Sequence, residues 1–268
     1  MKIKAQDRVK LFKEAIKNGM VMLPYDVETS HSVVKTFYIG QKVNLNHSQV
    51  MVPGQVISIQ YMLPGMKNAK YLEWDNVGKG EHDDSSMIEE FVTNLWDKAH
   101  IVLGQNNDGF DYKVLNDRAM LQKLPPMDQK PSIDVLKLSR KSFRALSHKL
   151  DFRSARLGHG GKLRMVEQDW FDVEDNKVPV SKKMGPYGCK DVEDTLKVFW
   201  DELPYYKSLP ADVEKIVLQF TRLSEEKAPF CTACKKRRQS RFNIKTKRSK
   251  DKLTHTCNNC TKTWTTKV

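Results

Sequence analysis

Apolar residues recur three and four positions apart in four stretches of the chain, the spacing that places them on one face of a helix. These stretches cover residues 88–99, 111–121, 192–203 and 213–223. Because such a stripe ordinarily packs against a core, it predicts four helices of a folded domain. Residues 1–19 combine basic and apolar residues in an amphipathic pattern and predict a further, basic helix ahead of that domain.

Short apolar runs that are rich in β-branched residues and bounded by turn residues predict strands. They cover residues 21–27, 33–39, 56–62 and 101–104. Pro24 has no backbone N–H, so it predicts an irregularity in the first of these strands. Early strands followed by alternating helices and strands indicate an α/β or α+β fold around one sheet.

Composition agrees with a folded chain. Hydrophobic residues make up 39% of the 268 residues and charged residues 29%, which excludes a disordered polymer. No run of about 18 apolar residues is present, so we expect no membrane span. Residues 1–8 lack the apolar core of a secretion signal, and we therefore expect a cytoplasmic protein with reduced thiols.

The basic excess of the chain is concentrated at one end. Residues 227–268 hold 13 basic residues and one acidic residue, a charge of +12 out of the total of +13. Residues 226–229 form a short linker where the composition changes. The chain is therefore predicted to contain one domain over residues 1–225 and a small basic domain over residues 229–268.

Two carboxylates end the first predicted strand. Asp26 and Glu28 are separated by one residue, so the period of a strand points both side chains to the same face. Carboxylates held together repel each other and favour a divalent cation between them. Asp-x-Glu also begins at Asp172, Asp191 and Asp212, but only the pair at Asp26 follows an apolar strand.

Two further motifs carry candidate chemistry. Asn-x-x-x-Phe-Asp, ending at Asp111, follows the strand at residues 101–104, where Asp111 could simply cap a helix. Tyr187 and Asp191 are four residues apart near the start of a helix, so they share a face. Taken alone, this second pair fits an exposed surface equally well.

In this order the three motifs resemble those of 3′–5′ exonucleases of the ribonuclease H-like superfamily that use four acidic residues and a tyrosine. The second motif is most similar to the proofreading domain of family B DNA polymerases, and stand-alone phage exonucleases look similar too. Segments 131–140 and 146–158 add to a resemblance that covers roughly residues 20–205. The sibling subclass has a histidine where Pro186 stands, which favours the tyrosine subclass.

The resemblance implies a ribonuclease H-like mixed sheet flanked by helices, with residues 211–225 as the closing helix. It implies that Asp26, Glu28, Asp111 and Asp191 hold two Mg²⁺ or Mn²⁺ ions about 4 Å apart. Tyr187 would orient the attacking water, Thr29 and Asn106 would lie near the terminal nucleotide, and Phe110 is a further candidate for contact with nucleic acid. The residues by themselves support only a two-metal phosphodiesterase.

The implied activity is removal of nucleotides from single-stranded or frayed DNA 3′ ends, in DNA replication and with a possible replication protein as partner. The host cytoplasm would be the location if a phage encodes the chain. Alternatives are a 3′–5′ exoribonuclease, a non-catalytic nucleic-acid-binding platform with a nuclease fold, and a ribonuclease H-like endonuclease.

A basic segment lies between the second and third motifs. Residues 134–164 hold nine basic and two acidic residues, a local charge of +7. Arg140, Lys141, Arg144 and Lys149 are candidates for a track that contacts the phosphates of the substrate strand. A solvated helix face would explain the same charges.

The tail carries two Cys-x-x-Cys pairs, Cys231 with Cys234 and Cys257 with Cys260, separated by 22 residues. The pattern resembles a zinc ribbon, in which four thiolates hold one structural Zn²⁺; a redox pair is the alternative. Basic residues flank one aromatic residue, Phe242, between the pairs. Arg237, Arg238, Arg241 and Phe242 are therefore candidates for nucleic-acid contacts, or for docking a protein.

Overall fold

The computed structural model describes residues 3–37, 40, 44–77, 82–161, 163–225, 244–249, 252–257 and 263–267. The strands are β1 (Met22–Thr29), β2 (Val33–Val34), β3 (Val50–Val52), β4 (Val56–Tyr61), β5 (Lys70–Glu73), β6 (Asp75–Asn76), β7 (His82–Asp83), β8 (Ile101–Gly104), β9 (Ser132–Asp134), β10 (Ile244–Ser249), β11 (Lys252–Cys257) and β12 (Thr263–Lys267). The α-helices are α1 (Arg8–Lys17), α2 (Ser85–Glu90), α3 (Asp111–Leu121), α4 (Val135–Ser142), α5 (Leu150–Arg156), α6 (Glu167–Glu174), α7 (Met184–Glu202) and α8 (Ala211–Glu225). A π-helical segment, Phe91–Trp96, continues α2.

A five-stranded mixed sheet in the order β5-β4-β1-β8-β9 forms the centre of the fold. β1 pairs antiparallel with β4 and parallel with β8, and β8 pairs parallel with β9. Helices cover both faces, so the predicted α/β architecture with a mixed sheet flanked by helices is confirmed.

Alternate residues of β1 face two different cores. Leu23, Tyr25 and Val27 pack with α2 and the segment that follows it. Met22 packs on the other side, with residues of α1, α7 and α8. Strand alternation therefore leaves Asp26 and Glu28 on the second face, beyond the part of β1 that Met22 fills.

Three of the four predicted strands occur within a residue or two of their expected bounds, as β1, β4 and β8. The strand predicted over residues 33–39 is wrong in extent, because only Val33–Val34 is extended among its described residues; it pairs with β3 outside the main sheet. β5 and β9 were not predicted. β5 is a partly exposed edge strand and β9 has three residues, so neither carries a clear period.

The irregularity expected at Pro24 is absent, since β1 runs through it. Pairing with β8 ends at Pro24 and pairing with β4 begins at Tyr25. The missing N–H of Pro24 therefore lies where the pairing with β8 ends and the pairing with β4 begins. The irregularity in β1 lies instead between Glu28 and Thr29.

The four predicted helices are found, although α7 begins eight residues earlier than its apolar stripe. The predicted N-terminal helix is α1, preceded by a 3₁₀ turn at Ala5–Asp7. None of the helices in the described part of the chain has the length and apolarity needed to cross a bilayer.

In the tail, β10, β11 and β12 form a three-stranded antiparallel sheet of their own, with Ile244 opposite Cys257 and His255 opposite Trp264. Cys231, Cys234 and Cys260 lie outside the described residues, as do Arg237, Arg238, Arg241 and Phe242. The linker at 226–229 also lies outside them. The zinc site and the contacts of the basic segment therefore stay predictions.

Candidate active site

Two carboxylates stand at the C-terminal end of β1. In the pairing with β4, Asp26 lies opposite Gln60 and Glu28 opposite Ser58. Both carboxylates are partly buried, whereas Val27 between them is buried in the opposite core. The strand period therefore brings Asp26 and Glu28 to one face, as the sequence indicates.

Helix α7 crosses this face of the sheet and supplies a third carboxylate, Asp191, of which 6% is exposed. Carboxylate oxygens of Asp26, Glu28 and Asp191 all lie within 4.8 Å of one another. The approach depends on Gly188, because a Cβ placed there would lie 2.3 Å from Cδ of Gln60. Glycine thus lets α7 lie against the residue that pairs with Asp26.

Asp111 reaches the site from the start of α3. Its Oδ1 accepts a hydrogen bond from the N–H of Val27 at 2.9 Å, and its side chain is buried. Burial raises the pKa of Asp111 to about 7, opposed by hydrogen bonds from the backbone N–H groups of Asp111 and Val27. Asp111 is thus hydrogen-bonded to β1 between Asp26 and Glu28, but it is not one of the three carboxylates whose oxygens lie within 4.8 Å of one another.

Tyr187 lies one turn before Asp191 and is buried, with 8% of its surface exposed. Its ring meets the ring of Trp170 edge to face, with the ring centres 5.7 Å apart. Trp170 belongs to α6, so a second helix supports the phenol.

A cavity of about 670 Å³ brings all five of these side chains together. Its walls also contain polar, basic and exposed apolar side chains from the loop after β8, from α4 and α5, and from the segment that joins these two helices. The lining residues are Asp26, Val27, Glu28, Gln105, Asn106, Phe110, Asp111, Leu136, Arg140, Leu146, Ser147, His148, Lys149, Leu150, Asp151, Tyr187 and Asp191.

The candidates for nucleic-acid contacts that fall within the described residues divide into two groups. Asn106, Phe110, Arg140 and Lys149 line the cavity. Three others do not: Thr29 follows the irregularity in β1, Lys141 donates from Nζ to Oγ of Ser208 at 2.9 Å, and Arg144 lies outside the lining.

Of the wall formed by residues 146–149, sequence reasoning singled out only Lys149 as a candidate contact. Gln105 donates from Nε2 to the carbonyl oxygen of His148 at 3.0 Å, and Nδ1 of His148 lies 2.9 Å from Oγ of Ser139. Asn106 has a positive φ of 69°, and its N–H donates to Asp134 at 3.1 Å. Asparagine tolerates this left-handed conformation, and Asn106 belongs to a run of turn-forming residues after β8.

Together, the fold and the cavity define a mixed α/β protein with a carboxylate-lined cleft at the C-terminal ends of its two central parallel strands. A family B DNA polymerase from the hyperthermophilic archaeon Pyrobaculum calidifontis has a similar fold, with a TM-score of 0.51 at 16% sequence identity. The similarity covers 76% of this chain and 28% of the polymerase chain. No protein-family model matches the chain, and no curated protein matches it in sequence.

Proposed function

We propose that the chain is a metal-dependent 3′–5′ exonuclease that removes nucleotides from single-stranded or frayed DNA 3′ ends. The observation that carries the proposal is the approach of Asp26, Glu28 and Asp191 within 4.8 Å, in a cavity that also contains Asp111 and Tyr187. The polarity and the preference for DNA rest on the motif resemblance, and the polymerase-like fold supports them.

The donor set fits divalent cations. Carboxylate oxygens are the ligands that Mg²⁺ and Mn²⁺ prefer, and Mg²⁺ binds them at about 2.0–2.1 Å. Three oxygens within 4.8 Å of one another need only small side-chain movements to surround such an ion. Asp111 supplies a fourth carboxylate for a second ion. When bound, two such ions would supply Lewis-acid activation of water and charge stabilisation of the departing 3′ oxygen.

The chain's own groups have separate roles in this proposal. The phenol of Tyr187 stays protonated and orients the attacking water. Arg140 and Lys149, which line the same cavity, provide positive charge for the phosphates. Phe110, with 44% of its surface exposed, offers an apolar face to a base.

For the tail, we propose one structural Zn²⁺ held by the four cysteines and a basic surface that strengthens binding of the strand. The antiparallel sheet β10–β12 supports a ribbon, because a segment of about forty residues can bury little core without a metal. Zinc content after Cys231→Ser tests the metal. Glutamine at Arg237, Arg238 and Arg241 should reduce the salt dependence of DNA binding; an unchanged slope would favour protein docking.

The test of the activity uses 5′-labelled single-stranded DNA and RNA with Mg²⁺, Mn²⁺ or EDTA. A ladder that shortens from the 3′ end is expected with either cation and not with EDTA, and Asp26→Asn should abolish it. Asp172→Asn is the matched control, since Asp172 begins another Asp-x-Glu pair and does not line the cavity.

Three outcomes would count against the proposal. Binding without cleavage under every metal condition would favour the platform. Cuts inside a circular substrate would favour an endonuclease, and faster shortening of RNA than of DNA would favour an exoribonuclease.

A further inference from the structure

A two-stranded hairpin leaves the sheet between β1 and β4. We call residues 30–37 and 44–55 of this segment the hairpin arm; they include β2 and β3. Large apolar side chains are exposed along it, and Phe37 has 96% of its surface exposed. The full set is Val33, Phe37, Leu45, Val50, Met51 and Val52. Such a concentration of exposed apolar surface ordinarily marks a binding site.

The arm is ordered at its base by specific contacts. Ser30 donates its N–H to the carbonyl oxygen of Gln55 at 2.8 Å, and Lys35 donates to that of Gln49 at 2.8 Å. His31 donates its N–H to Glu174 in α6 at 2.9 Å. The first two bonds hold the two strands of the arm together and the third ties the arm to α6, while its apolar side chains stay exposed.

The position of the arm connects it to the cleft. It begins two residues after Glu28, and Thr29 at its root pairs with Val56 where β4 starts. The seven residue steps from Ser30 to Phe37 span at most about 25 Å of extended chain. Because stacked nucleotides rise about 3.4 Å each, Phe37 can reach bases several nucleotides from a 3′ end in the cleft.

The charge of the segment that contains the arm favours a polyanionic partner. Residues 29–72 contain four lysines and neither Asp nor Glu, although the chain carries 33 acidic residues. A polyanionic strand therefore meets no repelling carboxylate from this segment. Exposed aromatic side chains can stack on any base, because every base has a π-face, and aliphatic side chains can pack against its apolar surface.

We propose that the apolar face of the hairpin arm binds unpaired bases of the nucleic-acid strand upstream of its 3′-terminal nucleotide. This rests on the proposed function, which brings a strand to the cleft. Phe37 stacks on a base, and the smaller side chains of β2 and β3 widen the apolar platform.

The test measures binding of the full chain to 5′-labelled single-stranded DNA in EDTA, so that cleavage does not intervene. Phe37→Ala should raise the Kd about tenfold, the size of one lost stacking contact. Tyr205→Ala is the matched control, because Tyr205 is also an exposed aromatic residue and should leave the Kd unchanged. Circular dichroism should show that both variants are folded.

A second strand with abasic sites upstream of its 3′ end identifies what Phe37 touches. The wild type should bind this strand more weakly, and Phe37→Ala should cause no further loss on it. An unchanged Kd for Phe37→Ala on the intact strand would overturn the proposal and favour a protein partner. Equal losses on intact and abasic strands would also overturn it. Because no cleavage is measured, a chain that binds without cutting would refute the exonuclease and leave the arm proposal supported.

Discussion

Replacing Gly188 by alanine should disassemble the candidate site without touching a carboxylate. The new Cβ would lie 2.3 Å from Cδ of Gln60, against about 3.5–4.0 Å for an ordinary carbon contact. Gln60 cannot turn aside easily, because it is fully buried and its Nε2 donates to Oγ of Ser58 at 2.7 Å. The clash must therefore move α7 or break that hydrogen bond.

Two opposing effects set the change in stability. Alanine in place of glycine inside a helix stabilises it by about 0.8–1.0 kcal/mol. Overpacking a buried contact costs about 1–3 kcal/mol. The clash is more than 1 Å deep, so we expect the second effect to win and the free energy of unfolding to fall by about 1–2 kcal/mol. A shift of α7 by about 1 Å would separate Asp191 from Asp26 and Glu28, and such displacements cost about 10²-fold in rate.

The assay pairs urea denaturation with the rate of 3′ shortening, for single and double variants. In the Gln60→Ala background the side chain that clashes is gone, so Gly188→Ala should cost less stability and less activity than it does in the wild type. Gly161→Ala is the control, since no atom lies within 4 Å of its added Cβ. If Gly188→Ala is as stable and as active as the wild type, or costs the same in both backgrounds, the close approach of α7 is not what assembles the site.

Three further predictions follow from single side chains. Tyr187→Phe should keep the ring contact with Trp170 and lower kcat by about 10²-fold with little change in KM, because only the phenol oxygen is lost; unchanged kcat would remove Tyr187 from the mechanism. Burial raises the pKa of Asp111 to about 7, so the folded chain keeps a proton that the unfolded chain releases above about pH 4. Without divalent cations, the stability of Asp111→Asn relative to the wild type should therefore rise between about pH 4 and about pH 7 and stay constant above that in urea denaturation, and a pH-independent difference would contradict this. Asp84→Ala should lower the free energy of unfolding by about 3–5 kcal/mol, because it leaves Arg118 and the N–H of Val56 without their buried partner; a loss below about 1 kcal/mol would refute the buried-pair reasoning.

The part of the site on β1 was predictable because it depends on local periods. An apolar strand that ends in Asp-x-Glu must place both carboxylates on one face, and Asp26 and Glu28 lie there. Likewise, a helix with Tyr187 and Asp191 four residues apart presents both on one side, and both line the cavity. Periodicity alone predicts which residues share a face of the strand and which share a face of the helix. It does not predict the distance between the strand and the helix.

Contacts between remote segments were not predictable from periods. Asp134 accepts hydrogen bonds from the N–H groups of Asn106 and Lys137, both at 3.1 Å, and so fixes the loop after β8 against α4. The sequence offers Asp134 as one carboxylate among 33 acidic residues, with no sign of its partners. The hairpin arm was missed for a related reason, since the apolar run that resembled one strand of the sheet forms a short pair outside it.

The near-neutral charge of residues 1–226 conceals two opposed surfaces within one cavity. Asp26, Glu28, Asp111 and Asp191 line it together with the basic residues Arg140 and Lys149. A phosphodiester is attracted by the side chains of Arg140 and Lys149 and repelled by ionised carboxylates. The four carboxylates can therefore accept a phosphodiester only when bound divalent cations reverse the charge of the carboxylate group. Without them, binding must depend on the basic residues and on surfaces away from the carboxylates, such as the hairpin arm. The proposed cleavage should therefore depend on divalent cations and the proposed arm binding should not, and both expectations follow from the same distribution of charge.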